Sequence, residues 1–406
     1  MTHGFEVVSQ LDEVRGRTGV ITTPHGQIQT PAFIPVGTKG TVKSVLPESV
    51  RDLGAQAVLS NAYHLYLQPG TEIIDAAGGL GSFMNWPLPT FTDSGGFQVL
   101  SLGVGFKKVL SMDSANTVES DVIAPGKDRL AHVDDEGVTF KSHLDGSMHR
   151  FTAEVSMQVQ HAIGADIIFA FDECTTLMNS KEYQILAMRR TLEWAQRCID
   201  EHERLTKERS TKPYQMLFGV IQGAHYEDLR RKAAREIGEL DFDGFGIGGA
   251  MDKETLGTII SWVVDELPEN KPRHLLGIGE PLDLFVGAEN GVDTFDCVAP
   301  TRNARNTALL TVEGRFNVSN APSRGNNEPV DSECDCYTCL NYSQAYLHHA
   351  YKGNELIFPT LASIHNLRFT VSLVDQIREH MQAGTYFEFK RDWVERFTTG
   401  RYAKKN

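Results

Sequence analysis

Residues 216–249 read MLFGVIQGAHYEDLRRKAAREIGELDFDGFGIGG. The stretch holds an apolar run, an amphipathic run and a second apolar run. MLFGVIQ and GFGIGG are apolar almost without interruption, as strands are when both faces of a sheet are covered. HYEDLRRKAAREIGEL between them reads as a helix. Strand, helix and strand make one parallel crossover unit, because parallel neighbours cannot be joined by a tight turn.

The same alternation continues in both directions. Apolar segments recur as AFIPV, AVLSN, PTFTD, DIIFAFD, HLLGIGE and VDTFD. Helix-like runs lie among them: PESVRDLG, TAEVSMQVQHAIG, KEYQILAMRRTLEWAQRCIDEHERL, DKETLGTIISWVVDEL and PLDLFVGAEN. Several open on Ser, Thr, Asp or Pro, as helix starts do. Eight strands in this pattern predict an α/β chain folded as a (β/α)8 TIM barrel, one domain over residues 1–406. Within it, residues 1–31 are expected to form an N-terminal antiparallel hairpin turning at TPHGQ. Residues 102–150 form a mixed insertion with a strand at GVTFKSH, and residues 307–370 a C-terminal zinc-binding insertion. TALLTVEGRFNV reads as a hairpin turning at Glu313-Gly314. The final KRDWVERFTTGRYAKKN is basic, with six Lys/Arg against two acids.

The 406 residues carry a net charge of −14, which disfavours bulk electrostatic binding to nucleic acid or anionic membranes but leaves room for a local basic patch. The N-terminus has no apolar signal core, and no stretch approaches the roughly 20 apolar residues that cross a bilayer. A cytoplasmic protein with no membrane partner is expected. Six cysteines are too few for a disulfide framework. Three of them cluster in CDCYTC. With His365 they give C-x-C-x2-C-x25-H: Cys334, Cys336, Cys339 and His365. Three thiolates and an imidazole suit a closed, structural Zn2+ site. His348 and His349 are rival fourth ligands at this stage.

The apolar segments tend to end in polar residues or glycine: Asp93, Asp172, Gln222, Gly248-Gly249, Glu280 and Asp296. In a barrel these ends converge at the C-terminal rim, where chemistry takes place. Asp93, Ser94, Gly95 and Gly96 offer a carboxylate and bare backbone, and Phe97 an aromatic face. Asp172, Gln222 and Gly249 add further donors and acceptors. The set suits a planar heterocycle such as a purine. Asp93 and Asp296 are a candidate carboxylate pair for glycosidic chemistry. In TRNARN, Arg302 and Arg305 are candidates for phosphate, and Thr301 and Asn303 for base edges or backbone.

Taken in order, DSGGFQ, FDEC, QG, GIGG, FDCVAPTRNARN and the cysteine–histidine spacing resemble the tRNA-guanine transglycosylases, the queuine tRNA-ribosyltransferases, over most of the chain. The resemblance implies exchange of guanine at the anticodon wobble position of tRNA for a 7-deazaguanine. Asp296 would be the nucleophile and Asp93 the proton donor and acceptor. Ser94, Gly95, Gly96, Asp172, Gln222 and Gly249 would hold the base, and Phe97 would stack on it. Gly277, Ile278, Gly279, Glu280, Pro281, Leu282 and Asp283 would lie along the RNA, with Thr301, Arg302, Asn303, Ala304 and Arg305. His365 would be the fourth zinc ligand, and a homodimer is implied. Cys174 after Asp-Glu resembles the bacterial type, which takes 7-aminomethyl-7-deazaguanine; eukaryotic enzymes take queuine. The chain departs from both types after GIGG, where it reads Ala250-Met251-Asp252-Lys253-Glu254. A barrel glycoside hydrolase would explain the carboxylates but neither the zinc segment nor TRNARN. A non-catalytic RNA-binding subunit would not need both aspartates.

Overall fold

In the computed structural model, which describes residues 3–97 and 131–403, the chain opens as a three-stranded antiparallel meander of β1 Gly4–Gln10, β2 Arg17–Thr23 and β3 Gly26–Thr30. The hairpin turns within TPHGQ, at Pro24-His25, and β1 adds a third strand along β2.

Eight further strands form one parallel ring. They are β4 Ala32–Pro35, β5 Val58–Ser60, β6 Thr90–Thr92, β10 Ile167–Phe169, β11 Met216–Ile221, β12 Gly244–Ile247, β13 Arg273–Leu275 and β14 Thr294–Cys297. They pair in the order β4-β14-β13-β12-β11-β10-β6-β5, and a parallel bridge from Val36 to Leu59 closes the ring. Each expected strand segment overlaps one of these strands; β13 starts one residue before HLLGIGE and β14 ends one residue after VDTFD. The helices match equally well: Ala153–Ile163, Lys181–Glu208, Glu227–Gly238, Leu256–Val264 and Pro281–Glu289. Local chemistry sets their ends. Thr152 accepts from the Val155 N–H at one N-terminus, and Gly164 closes the same helix in the left-handed conformation.

Side chains alternate across each strand. Ala32, Ile34, Leu59, Phe91, Phe169, Phe218 and Val220 point inward and fill the lumen, together with Ile21 and Ile28 of the meander. The meander therefore plugs the bottom of the barrel. Phe33, Val58, Ile168, Leu217, Phe245, Ile247 and Phe295 face outward into the shell of helices. On β12 the inward positions are all glycine. A Cβ on Gly244 would lie 2.5 Å from the Phe218 ring, and one on Gly246 2.9 Å from the Phe169 ring. The glycines of GFGIGG therefore make room for two lumen phenylalanines.

Arg17 ties the plug to the barrel. Its Nε and Nη2 donate to the two Asp293 oxygens at 3.0 and 2.6 Å, and its Nη2 also reaches the Lys271 carbonyl at 2.8 Å. Both side chains are buried. Removing one partner of such a pair typically costs about 3–5 kcal/mol, because the other charge is left uncompensated.

Two excursions interrupt the ring. Ala131–Asp134 (β7), Gly137–Lys141 (β8) and Met148–Phe151 (β9) form a small antiparallel sheet, with the GVTFK of the expected strand at its centre. Residues 102–130 of the expected insertion lie outside the described residues. After β14 and the short helix Ala299–Arg305 comes the hairpin β15 Ala308–Thr311 and β16 Gly314–Asn317. Its turn falls one residue earlier than expected, at Val312-Glu313, because Gly314 already pairs with Thr311. The cysteine segment follows. The helix Ile357–Gln382 then returns to pack on β4, so the cysteines sit in an insertion between the last strand and its closing helix.

Candidate active site at the barrel mouth

The lumen alternation leads directly into the site. Phe91 points inward, so Asp93, two residues later, leaves the strand end on the same side. Thr294 also points inward and contacts a buried imidazole, with its Oγ1 2.8 Å from His274 Nδ1. Asp296 lies two residues beyond it. The Phe91 ring sits 5.5 Å from the same imidazole, centroid to centroid. Asp93 and Asp296 thus stand one layer above two residues that both touch His274, at one mouth of the barrel.

Separate donor sets hold the two carboxylates. Asp93 Oδ1 accepts from the Ala62 N–H at 2.9 Å and the Gly95 N–H at 3.2 Å, and the Asn61 side chain donates to Oδ2. Asp296 Oδ1 accepts from the Gly277 N–H at 2.9 Å and contacts His274 Nε2 at 3.1 Å. Among the described residues, no hydrogen bond reaches Asp296 Oδ2. The Asp296 side chain keeps 12% of its surface open, whereas His274 keeps none.

Beside Asp93 stands a wall of linked polar groups. Ser94 Oγ donates to Asp172 Oδ1 at 3.1 Å, and Gln222 Nε2 donates to Asp172 Oδ2 at 2.7 Å. Burial pushes the Asp172 carboxyl up to about 6, against the opposing pull of the Gln222 and Ser94 hydrogen bonds. Gly96 and Gly249 are fitted to this wall. A Cβ on Gly96 would fall 2.6 Å from the Asp172 carbonyl oxygen, and one on Gly249 2.5 Å from Gln222 Oε1. Among the described residues Gln222 Oε1 is buried without a hydrogen-bond partner. Behind it lies Arg230, fully buried, donating to the carbonyls of Ala224 at 2.8 Å, Ile221 at 3.2 Å and Gly248 at 2.7 Å. Its Nη2 is also buried and has no hydrogen-bond partner among the described residues. Phe97 is half-buried at the edge of the described residues. The site thus offers an anionic acceptor, an amide oxygen and backbone groups to a flat ligand.

Nearby thiols are poor nucleophiles. Burial pushes Cys174 and Cys297 up to about 12, so both stay protonated at neutral pH.

The expected RNA-facing segments are only partly open. Gly277 and Leu282 are exposed and Glu280 is half-buried, paired with Arg315 at 2.6 Å. Ile278, Gly279, Pro281 and Asp283 are buried. In Ala299–Arg305, Arg302 is exposed and Asn303 and Arg305 are half-buried. Thr301 and Ala304 turn inward, Ala304 into the core of the cysteine segment. Among the described residues neither arginine has an ion-pair partner, and Arg305 Nη1 is buried with no hydrogen bond.

Cys334, Cys336, Cys339 and His365 come together, with their ligand atoms all within 4.8 Å of one another. The three Sγ atoms lie 3.7, 3.6 and 3.3 Å from His365 Nδ1. A tetrahedral ion with bonds of ~2.3 Å to sulfur and ~2.1 Å to nitrogen needs about 3.6 Å there. His365 Nε2 points at the Leu310 carbonyl, 2.7 Å away, which leaves Nδ1 as the ligand atom. The rivals fall away: His348 is bound to the Val318 carbonyl at 2.9 Å, and His349 is exposed. The four residues can hold a metal ion.

Reading the chain did not single out His274, Asn61 or Arg230. His274 and Arg230 each lie inside a segment already assigned as strand or helix. Nor did it give the β7–β9 sheet a role. Phe151 of that sheet backs the Asp93 loop, 3.2 Å from where a Cβ on Gly95 would stand.

Comparison with known proteins places the chain in a family. The family model "Queuine tRNA-ribosyltransferase" matches residues 12–399. A protein of that name from Moorella thermoacetica is 44% identical over 400 residues, 98% of each chain. Others are 43% identical over 400 residues in Pelotomaculum thermopropionicum (98% of this chain, 99% of that one) and 42% over 396 in Thermoanaerobacter sp. strain X514 (97% of each). With a match across nearly its whole length, and with the barrel and Cys3His cluster in place, the chain belongs to the queuine tRNA-ribosyltransferase family.

Proposed function

We propose that this protein replaces guanine at the wobble position of a tRNA anticodon with 7-aminomethyl-7-deazaguanine, or with queuine, in queuosine biosynthesis. The observation that carries the reading is the state of Asp296. One oxygen is pinned by two contacts, and the other has no hydrogen bond among the described residues, at a mouth shared with Asp93. In the first step Asp296 Oδ2 attacks the ribose anomeric carbon, the glycosidic bond to guanine breaks, and Asp93 gives the leaving base a proton. In the second, the incoming base returns a proton to Asp93 and its ring nitrogen displaces Asp296. Two inversions retain the configuration at the sugar. The reaction requires no nucleotide or redox cofactor.

Asp172 accepts from the N–H groups of the base edge. Gln222 Oε1, Gly249 and the Ser94–Gly96 backbone supply the remaining contacts, and Phe97 stacks on the ring. The open parts of Gly277–Asp283 lie along the RNA. Arg302 and Arg305, cations with no carboxylate partner among the described residues, take phosphates, and Asn303 lies beside them. A wobble base can leave its stack for such a pocket because it sits in a loop. The metal is a structural Zn2+, since a closed set of three thiols and an imidazole leaves no position for reacting water. Homodimerisation is supported by aromatic surface on the cysteine segment. Tyr337 and Leu340 are exposed, and Tyr342 packs between the Tyr337 and Tyr346 rings at 5.9 and 5.0 Å. Among the described residues no helix is long and apolar enough to cross a membrane. The proposed site of action is the cytoplasm, where tRNA is found.

Incubation with tRNA and labelled guanine should move label into the tRNA, and a glycoside should not be cleaved; the opposite pattern would favour a hydrolase. Asp296→Asn should lose the covalent protein–tRNA band on a denaturing gel, and persistence of that band would remove Asp296 from its role. Chelation with verified loss of zinc should lower the melting temperature; an unchanged melting curve would contradict a structural metal. The ionised Asp172 is the acceptor, and its pKa is raised, so base affinity is lost as pH falls. Guanine binding should be flat above about pH 6 and weaken toward tenfold per unit below it. Asp172→Asn should remove this dependence, and a wild-type affinity that stays constant from about pH 5 to 8 would contradict the assignment.

A further inference from the structure

We infer that His274 is a positioning residue for the nucleophile: it selects which Asp296 oxygen attacks and fixes the direction of attack. The inference rests on the proposed role of Asp296 and goes beyond it.

An ionised carboxylate only accepts, so the 3.1 Å contact from Asp296 Oδ1 to His274 Nε2 needs a hydrogen on Nε2. Nδ1 then accepts from the Thr294 hydroxyl at 2.8 Å. Thr294 therefore sets the tautomer. The ring cannot readily turn to offer another. It is fully buried, with the Phe91 and Phe169 rings 5.5 and 5.3 Å away. Thr294 and Asp296 belong to the same strand, two residues apart, so the imidazole on β13 spans consecutive inward positions of β14. The Gly277 N–H reaches the same Oδ1 at 2.9 Å.

Both contacts converge on one oxygen. A hydrogen-bonded carboxylate oxygen has its lone-pair density drawn toward the donors, and the other oxygen keeps it. Oδ2 is therefore the better nucleophile, and rotation about the Cβ–Cγ bond that would exchange the two oxygens breaks both bonds. Holding one oxygen on a rigid, dry lumen layer aligns the other with the anomeric carbon before the RNA arrives.

Two substitutions of similar polarity separate the halves of this role. Asn places its amide near the Nδ1 position and keeps only the Thr294 contact. Gln places its amide near Nε2 and keeps only the Asp296 contact. In single-turnover experiments with tRNA, His274→Asn should slow formation of the covalent adduct by roughly ten- to a hundredfold while leaving the tRNA Kd unchanged. His274→Gln should recover most of that loss. Equal rates for the two variants, or a His274→Asn adduct rate matching wild type, would overturn the positioning role. Where His274→Asn does not fold, Thr294→Val tests the same tautomer lock: a fall of roughly threefold or more at constant tRNA Kd supports it, and an unchanged rate overturns it. Wild-type protein and Asp296→Asn run alongside. Failure of the wild type to form any Asp296-dependent adduct would strike the nucleophile reading itself, a result distinct from failure of the His274 role alone.

Discussion

Two acids at one mouth of a barrel both lose water, and the fold must compensate. Burying an ionised group without partners costs several kcal/mol. Here each acid receives its own donors from its own stretch of chain. Asp93 is met by the Asn61 side chain and the backbone of Ala62 and Gly95. Asp296 is met by His274 and the backbone of Gly277. Much of the remaining architecture serves to bring these donors into place.

The lumen does this by volume. Phe91, Phe169 and Phe218 fill the space below the mouth, and β12 gives up every inward side chain to admit two of them. His274 is the polar member of that aromatic layer, and it carries the order of the packed interior up to Asp296. The wall beside Asp93 is linked in the same manner. Asp172 is shared by Ser94 and Gln222, and Gln222 lies where any side chain at Gly249 would collide with it. Arg230 fastens the Gln222 loop to Gly248 from behind. The three cysteines of the Cys3His cluster lie in the insertion between β14 and its closing helix, which also carries Arg302 and Arg305.

Much of this was legible in the residues because the signals were periodic or paired. Eight apolar runs each overlap a strand of the parallel ring, so the strand ends share one mouth of the barrel. The cysteine spacing gave three ligand positions directly, while the choice among three histidines needed the family resemblance and then the fold. What escaped was whatever depends on register between distant segments. His274 opens HLLGIGE and reads as a polar strand start; only pairing of β13 with β14 sets it between Thr294 and Asp296. Ala304 sits within a polar TRNARN, yet helical phase turns it into the core. Of the glycines in GFGIGG, only Gly248 and Gly249 were read as backbone for a ligand; Gly244 and Gly246, given no role from the sequence, answer to neighbouring phenylalanines. The strand β1 alternates too weakly to announce itself, since its partner β2 supplies the buried face.

The most direct measurement is to locate the covalent bond. The trapped protein–tRNA complex would be digested with ribonuclease and protease, and the peptide carrying the nucleotide mass identified by fragmentation. The account predicts attachment at Asp296, within the peptide that runs through VDTFDCVAPTR. A nucleotide found on Asp93, or on either cysteine of the pocket, would contradict it.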